Sequence, residues 1–446
     1  MKYTPAKTTE LLNGIEFDTK HPGSKLADLP VEILLLIFKF IHQDSMVAQA
    51  RVIPRGSEDH PFKKLRLVSR KFSQILRDEI FKSVTIRCSD SARGFFEWYT
   101  NIATNQGGNL RISRLSISNV VRTSDHQGII LYDQTIGYDI FQDILSTLAP
   151  SLLQLRIEFL ENFEFSENVI QSFSRAKFLK VLHLQVLKYS SRSLVSKNIL
   201  KDSSRSHHNT PTITRTLYNV KPLLRAIESL QNLKELDLNS CLDFCNPLPT
   251  SENVGLLGIT HLSLSLAAGT TSFANSQHLT LLKLCKSVIK TLKILEIKGF
   301  RYNPAKVAPV LSVVRNDIEA LRISELTLLQ LCNGVEFSKL QIIAIDDSRY
   351  LRQEDFEVPM FQKVKTLILR TCNLGESPLE IPVERLPNLK RIILLSNTRR
   401  PTTENLQLFK TCKDFNVELL YTFGSIDLRH VSLSKLMLIV AKSSVF

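Results

Sequence analysis

Leu233-Lys234-Glu235-Leu236-Asp237-Leu238-Asn239-Ser240-Cys241 is the stretch whose spacing decides the fold. Its apolar residues stand first, fourth and sixth, so Leu236 and Leu238 share one face of a short strand and Asp237 takes the other. The same template starts at Ile112, Leu152, Leu179, Leu233, Ile259, Leu292, Ile318, Leu340, Val364 and Leu389. From Leu233 onward the starts differ by 26, 33, 26, 22, 24 and 25 residues. These intervals sit in or near the range of roughly 20–29 residues of a repeat built from one strand and one helix. Between Leu152 and Leu233 the intervals are 27 and then 54, as if an insertion replaced one repeat. Leu389-Lys390-Arg391-Ile392-Ile393-Leu394-Leu395-Ser396-Asn397 is a second clean copy, and both copies end in Cys or Asn, which suits a turn. Between strands, Pro222-Leu223-Leu224-Arg225-Ala226-Ile227-Glu228-Ser229-Leu230 has helical period with a proline placed to open it. No such unit buries its apolar face alone. The expected fold is therefore α/β, a solenoid with a parallel concave sheet and outer helices, covering residues 88–430. Ten strands about 4.8 Å apart give an inner arc of roughly 50 Å, the footprint of a protein and not of a metabolite.

The residue between the two core positions of each strand faces the concave wall. It reads Arg156, His183, Asp237, Ser263, Glu296, Arg322, Ala344, Ile368 and Ile393, polar first and aliphatic last. Arg156, His183, Asp237, Glu296, Arg322, Ile368 and Ile393 are the candidates for contact with a protein client. Ile342 and Leu395 extend the aliphatic end, and such a patch is not expected to stay open to water. Its occupant is either a client or the chain's own tail, residues 431–446, which carries Leu433, Leu436, Leu438, Ile439 and Val440.

Residues 1–24 show no periodicity and read as a flexible leader. Leu29-Pro30-Val31-Glu32-Ile33-Leu34-Leu35-Leu36-Ile37-Phe38 then begins a helix, with Asp28 and Pro30 at its start and Glu32 in its first turn. A loop with Pro54, Gly56 and Pro61 follows, and Phe62 to Ile80 returns to helical spacing through Leu65, Val68, Phe72, Ile75 and Leu76. Phe81 to Ile86 reads as a strand entering the next domain. Together with the repeats, residues 25–87 resemble the F-box proteins with leucine-rich repeats. Leu29-Pro30, Glu32, Ile33, Leu34 and Ile37 match the first part of the family's pattern, and Leu67, Val68, Arg70 and Phe72 match the second. The loop from Gln43 to Pro61 is longer than is usual there, and Phe72 stands where a tryptophan is common. The resemblance implies a substrate receptor of a Skp–cullin–F-box ubiquitin ligase. Leu29, Pro30, Ile33, Leu34, Ile37, Leu67, Val68 and Phe72 would dock on a Skp-family adaptor and, through it, a cullin, while the repeats hold a client. Some relatives return a C-terminal tail along the concave face.

Composition narrows the alternatives. The chain of 446 residues carries a formal net charge of +14, half of it between Lys188 and Arg225, where eight basic residues stand against Asp202 alone. Residues 188–216 also hold seven serines and read as a basic insertion, either a docking loop or solvated surface. A scaffold for an acidic protein or nucleic acid is the rival function. Nucleic acid is disfavoured, because only Tyr189 and Tyr218 near the ends of the basic segment offer stacking groups. Seven cysteines on so long a chain are not a secreted disulfide framework. Cys241 and Cys245 with His207 and His208 lack a second cysteine pair and make a poor zinc set. No phosphate-binding glycine loop, H-E-x-x-H or G-x-S-x-G occurs. No cofactor, metal or intrinsic catalysis is expected. With no signal-peptide run and no long apolar stretch, the expected location is cytoplasm or nucleus, away from membrane.

Overall fold

The computed structural model describes residues 29–31, 33, 34, 37, 81–105, 111–121, 135–160, 165–187, 219–241, 255, 258–265, 274–298, 307–324, 334–346, 348, 351–371, 381–396, 403–423, 432–434, 436 and 437. Two compact units divide the chain, Met1–Ile80 and Phe81–Phe446. Within the first, Val31, Ile33, Leu34 and Ile37 are helical, and the Leu34 N–H donates to the Pro30 carbonyl at 3.1 Å. Proline suits this position just before the first helical residue because the N–H it lacks would have had no partner inside the helix. Leu67, Val68, Phe72 and the insertion at 188–216 lie outside the described residues.

The second unit is one parallel sheet whose strands follow chain order. They are β1 (Ser83–Ile86), β2 (Arg114–Val121), β3 (Ile136–Gly137), β4 (Gln154–Phe159), β5 (Val181–Val186), β6 (Glu235–Asn239), β7 (His261–Ser265), β8 (Ile294–Lys298), β9 (Ala320–Ile323), β10 (Ile342–Ile345), β11 (Thr366–Thr371), β12 (Arg391–Ser396) and β13 (Glu418–Phe423). Each pairs with its sequence neighbour, apart from β3, which adds a short bridge to β2 beside the β2–β4 pairing. The sheet thus extends the ten-strand reading at both ends. Ser83–Ile86, read as the strand leaving the helical module, is the sheet's first strand. The architecture is a leucine-rich-repeat-like α/β solenoid.

Every residue that opens the template is buried, from Ile112 at 0% exposed to Leu389 at 7%. The two following apolar positions of each strand are buried with it: Leu155 and Ile157, Leu236 and Leu238, Leu295 and Ile297, Ile392 and Leu394. They join one continuous core that runs the length of the sheet. Because the register aligns Leu182, Leu236, Leu262 and Leu295, each leucine packs between equivalents from the repeats on either side. The 54-residue interval is resolved in the same way: β5 pairs directly with β6, so no strand stands between them and the extra residues leave the sheet uninterrupted.

Helices cover the core in the first half. They are α1 (Ser89–Asn105), α2 (Tyr138–Leu148), α3 (Glu167–Arg175), α4 (Lys221–Glu228), α5 (Ala274–Val288) and α6 (Ala308–Val314), with α7 (Thr403–Asp414) before the last strand. Pro222 and Pro309 stand in the first turns of α4 and α6, and the Ser166 hydroxyl caps α3 by accepting the Val169 N–H. The expectation of a helix in every repeat is corrected in the later ones. Among the described residues, the crossing from β10 to β11 holds two 3₁₀ turns, Gln353–Glu357 and Pro359–Lys363, and that from β11 to β12 holds one, Val383–Arg385. Repeat starts only 24 and 25 residues apart leave room for a turn of three to five residues once the strand and two crossings are made. Phe356, Phe361 and Val383 fill the core that a helix would otherwise cover. No helix among the described residues is long and apolar enough to cross a membrane.

Since every repeat is held by its neighbours, a cavity in one interior row weakens two interfaces. Leu236→Ala should lower the unfolding free energy by about 2–5 kcal/mol. Lys234→Ala, two residues earlier and exposed, should change it by less than about 0.5 kcal/mol. Urea unfolding followed by circular dichroism measures both.

Candidate functional site

Strand register sets the proposed client residues in one row. Arg156 pairs with His183, His183 with Asp237, Asp237 with Ser263, Ser263 with Glu296 and Glu296 with Arg322. Ala344, Ile368 and Ile393 continue it. The central position was read as the exposed one, with a client or the chain's own tail expected over its aliphatic end, and the row is not open along its length. Only its beginning is: the Arg156 side chain is 36% exposed and ion-paired to Glu158 at 2.6 Å, while His183 and Asp237 keep 14% and 19%. Glu296 and Arg322 are fully buried, and Ile368 and Ile393 nearly so.

The tail covers them. Leu433 and Leu436, with Met437 beside them, pack on Ala320, Ala344, Ile368, Ile393 and Leu395 as an apolar cluster separate from the main core. Of the two occupants considered for the aliphatic patch, the described part of the tail is the one seated there. It lies on the concave wall and keeps those residues from solvent.

Next to this cluster lies a buried polar junction centred on Glu296. Oε1 accepts from the Leu433 N–H at 2.6 Å and faces His261 Nε2 at 2.7 Å. Oε2 faces Lys298 Nζ at 2.9 Å and Arg322 Nη1 at 3.3 Å. Arg322 turns its other edge to Asp346, with Nη2 at 2.7 Å and Nε at 2.9 Å from Oδ1. His261 Nδ1 stands 3.6 Å from Glu235 Oε2, and Glu235 lies 3.4 Å from His183, which in turn faces Asp237 at 3.3 Å. Acids and bases thus alternate from β5 to β10. A buried carboxylate without partners would be strongly unfavourable, and here each oxygen has two donors.

These surroundings set the protonation states. Burial alone would lower the His261 pKa, but the carboxylates of Glu235 and Glu296 outweigh it and raise it to about 9. Burial alone would raise that of Glu296; Lys298, the hydrogen bond from His261 and Arg322 reverse this and hold it well below the usual carboxylate range. Arg322, for which burial alone would lower the pKa, is pushed further up by Asp346 and Glu296.

Glu235, His261, Lys298 and Asp346 were not singled out by sequence. Their signal was available, since they alternate with core residues on the same wall as the central row, and Glu235 pairs with His261 in register. In the N-terminal unit, Pro30 is exposed, Ile33 is 44% exposed, Leu29 and Ile37 are half-buried, and Leu34 is fully buried. Cys241 is a core residue whose thiol contacts the Asn239 carbonyl. No group of three or more His, Cys, Asp or Glu among the described residues is arranged to hold a metal. Comparison with protein-family models and with curated proteins gives no match.

The junction gives stability a pH window. His261 has a folded pKa of about 9 against 6.5 when free, so its contribution is complete below pH 6.5 and is lost as pH rises through 9. Glu296 is depressed, so its contribution is complete above its ordinary 4.5 and is lost on acidification. The melting temperature should hold between these limits and fall toward pH 9, and H261Q should remove most of the alkaline fall. Thermal melts of both proteins across pH 5–10 test this; the same alkaline slope in H261Q would refute it.

Proposed function

We propose that this protein is the client-receiving subunit of a Skp–cullin–F-box ubiquitin ligase. One observation carries most weight beside the resemblance of residues 25–87. Pro30, Ile33 and Ile37 recur at helical spacing and none is buried within the chain, while Leu34, one residue on from Ile33, is 0% exposed. Leu34 is thus covered within the chain, while Pro30, Ile33 and Ile37 leave apolar surface partly open to water. That is the arrangement needed by a helix whose second cover is an adaptor protein. The long concave sheet supports the other half of the reading, a surface of protein dimensions.

On this reading the chain transfers no ubiquitin itself. The adaptor, and through it a cullin, brings the ubiquitin-loaded enzyme, and the repeats hold the client so that its lysines meet that enzyme at high effective concentration. No cofactor is needed, and cytoplasm or nucleus is the compartment where such complexes meet their clients.

Burying an Ile or Leu side chain contributes about 1.5–3 kcal/mol. Leu29→Ala with Ile33→Ala should therefore lower adaptor affinity by at least about tenfold, with the circular dichroism spectrum unchanged. A pull-down with a purified Skp-family adaptor and a cullin fragment measures it. Wild-type capture by a folded double variant would remove the F-box reading and leave the repeat scaffold for an acidic protein as the alternative.

A further inference from the structure

The tail shows what its own binding surface selects. Its described residues form a helical turn in which the Leu436 N–H donates to the Ser432 carbonyl at 3.0 Å. The first N–H groups of such a turn have no partner within it. Here one of them, from Leu433, is given to Glu296 at 2.6 Å, and the Ser434 hydroxyl donates to Glu235 at 3.2 Å. Leucines three apart, Leu433 and Leu436, enter the aliphatic cluster at 0% and 3% exposed. The wall thus presents a buried acceptor at one end and an aliphatic strip at the other, matched to a short helix that offers an N–H and two leucines.

Charge narrows the ligand further. Lys298 and Arg322 already face Glu296 and Asp346, and Glu235 and Asp237 stand nearby, so an incoming carboxylate would meet acids whose basic partners are taken. The tail complies: residues 431–446 contain Lys435 and Lys442 and no acidic residue.

We infer that the concave wall from β6 to β12 is a receptor for a neutral or basic amphipathic helix with leucines three apart, and that the chain's own tail holds this site as an internal competitor of a client helix. The client part of this inference rests on the receptor reading above; the ligand class of the site does not. Displacing the tail exposes Glu296 and the aliphatic strip together, and a client helix of the same chemistry takes both.

The test uses a fluorescein-labelled synthetic peptide of residues 429–446, titrated by anisotropy against the full chain and against a chain ending at residue 428. Saturable binding to the truncated chain, at least about tenfold weaker binding to the full chain, and a loss of about tenfold on E296Q in the truncated chain are expected. A peptide with both leucines replaced by serine should not bind. Equal affinity for both chains, or no binding to a truncated chain that keeps its circular dichroism spectrum, overturns the inference. If truncation abolishes that spectrum, the same titration is read on full-length Leu433→Ser/Leu436→Ser, where absence of saturable binding overturns it. Adaptor capture by the same preparations is scored separately, so failure of the ligase reading is distinguishable from failure of the site.

Discussion

A repeat of this solenoid cannot bury its own leucines, and everything else in the second unit follows from that constraint. Leu236 is inaccessible only because Leu182 lies on one side of it in register and Leu262 on the other. Burial of this kind favours continuation, since each added strand covers the one before and exposes a new edge. It also explains why an insertion as long as that between β5 and β6 is tolerated. The register is fixed by rows of core side chains, and β5 pairs with β6 in the same register as the other neighbours.

The same constraint acts on the outer layer. What a repeat needs there is an apolar lid over its leucines, and the geometry of the lid follows from the residues available. Where the interval is 33, α5 runs for fifteen residues. Where it is 24 or 25, a 3₁₀ turn with Phe356, Phe361 or Val383 directed inward does the same work. The spacing of apolar residues at first, fourth and sixth place made the strands legible residue by residue, because an i, i+2 alternation has one structural meaning once it recurs. The lids were less legible. Helical period in one repeat, Pro222 to Leu230, was extended to all, whereas interval length is the quantity that separates helix from turn.

The concave wall was legible in part for a related reason. Its central row followed from alternation, down to the change from polar to aliphatic between Arg322 and Ala344. Its state of burial did not, because that depends on a segment more than a hundred residues away in sequence: the Leu433 N–H reaches Glu296 across a separation of 137 residues. Composition showed that the tail was apolar enough to cover something, and the aliphatic patch showed that something needed cover. The polar half of the contact was hidden because the row was read one position per strand. Glu235 and His261 each sit two residues before a residue of that row, on the same face.

Apolar burial alone would let the tail slide, since Ala344, Ile368 and Ile393 form a nearly uniform strip and a leucine fits several places along it. Glu296 removes that freedom. A carboxylate buried to 0% exposure is a poor source of net stability, because desolvation offsets most of what its partners contribute. Its consequence is positional: only a segment that brings an N–H to Glu296 while its leucines reach the strip gives each Glu296 oxygen two donors. A ligand shifted by one residue would lose that hydrogen bond and bury the carboxylate with a partner missing. The junction from His261 to Asp346 is therefore best understood as a device that sets register for whatever helix lies on the wall, with its own charges neutralised in advance so that the one remaining demand is geometric.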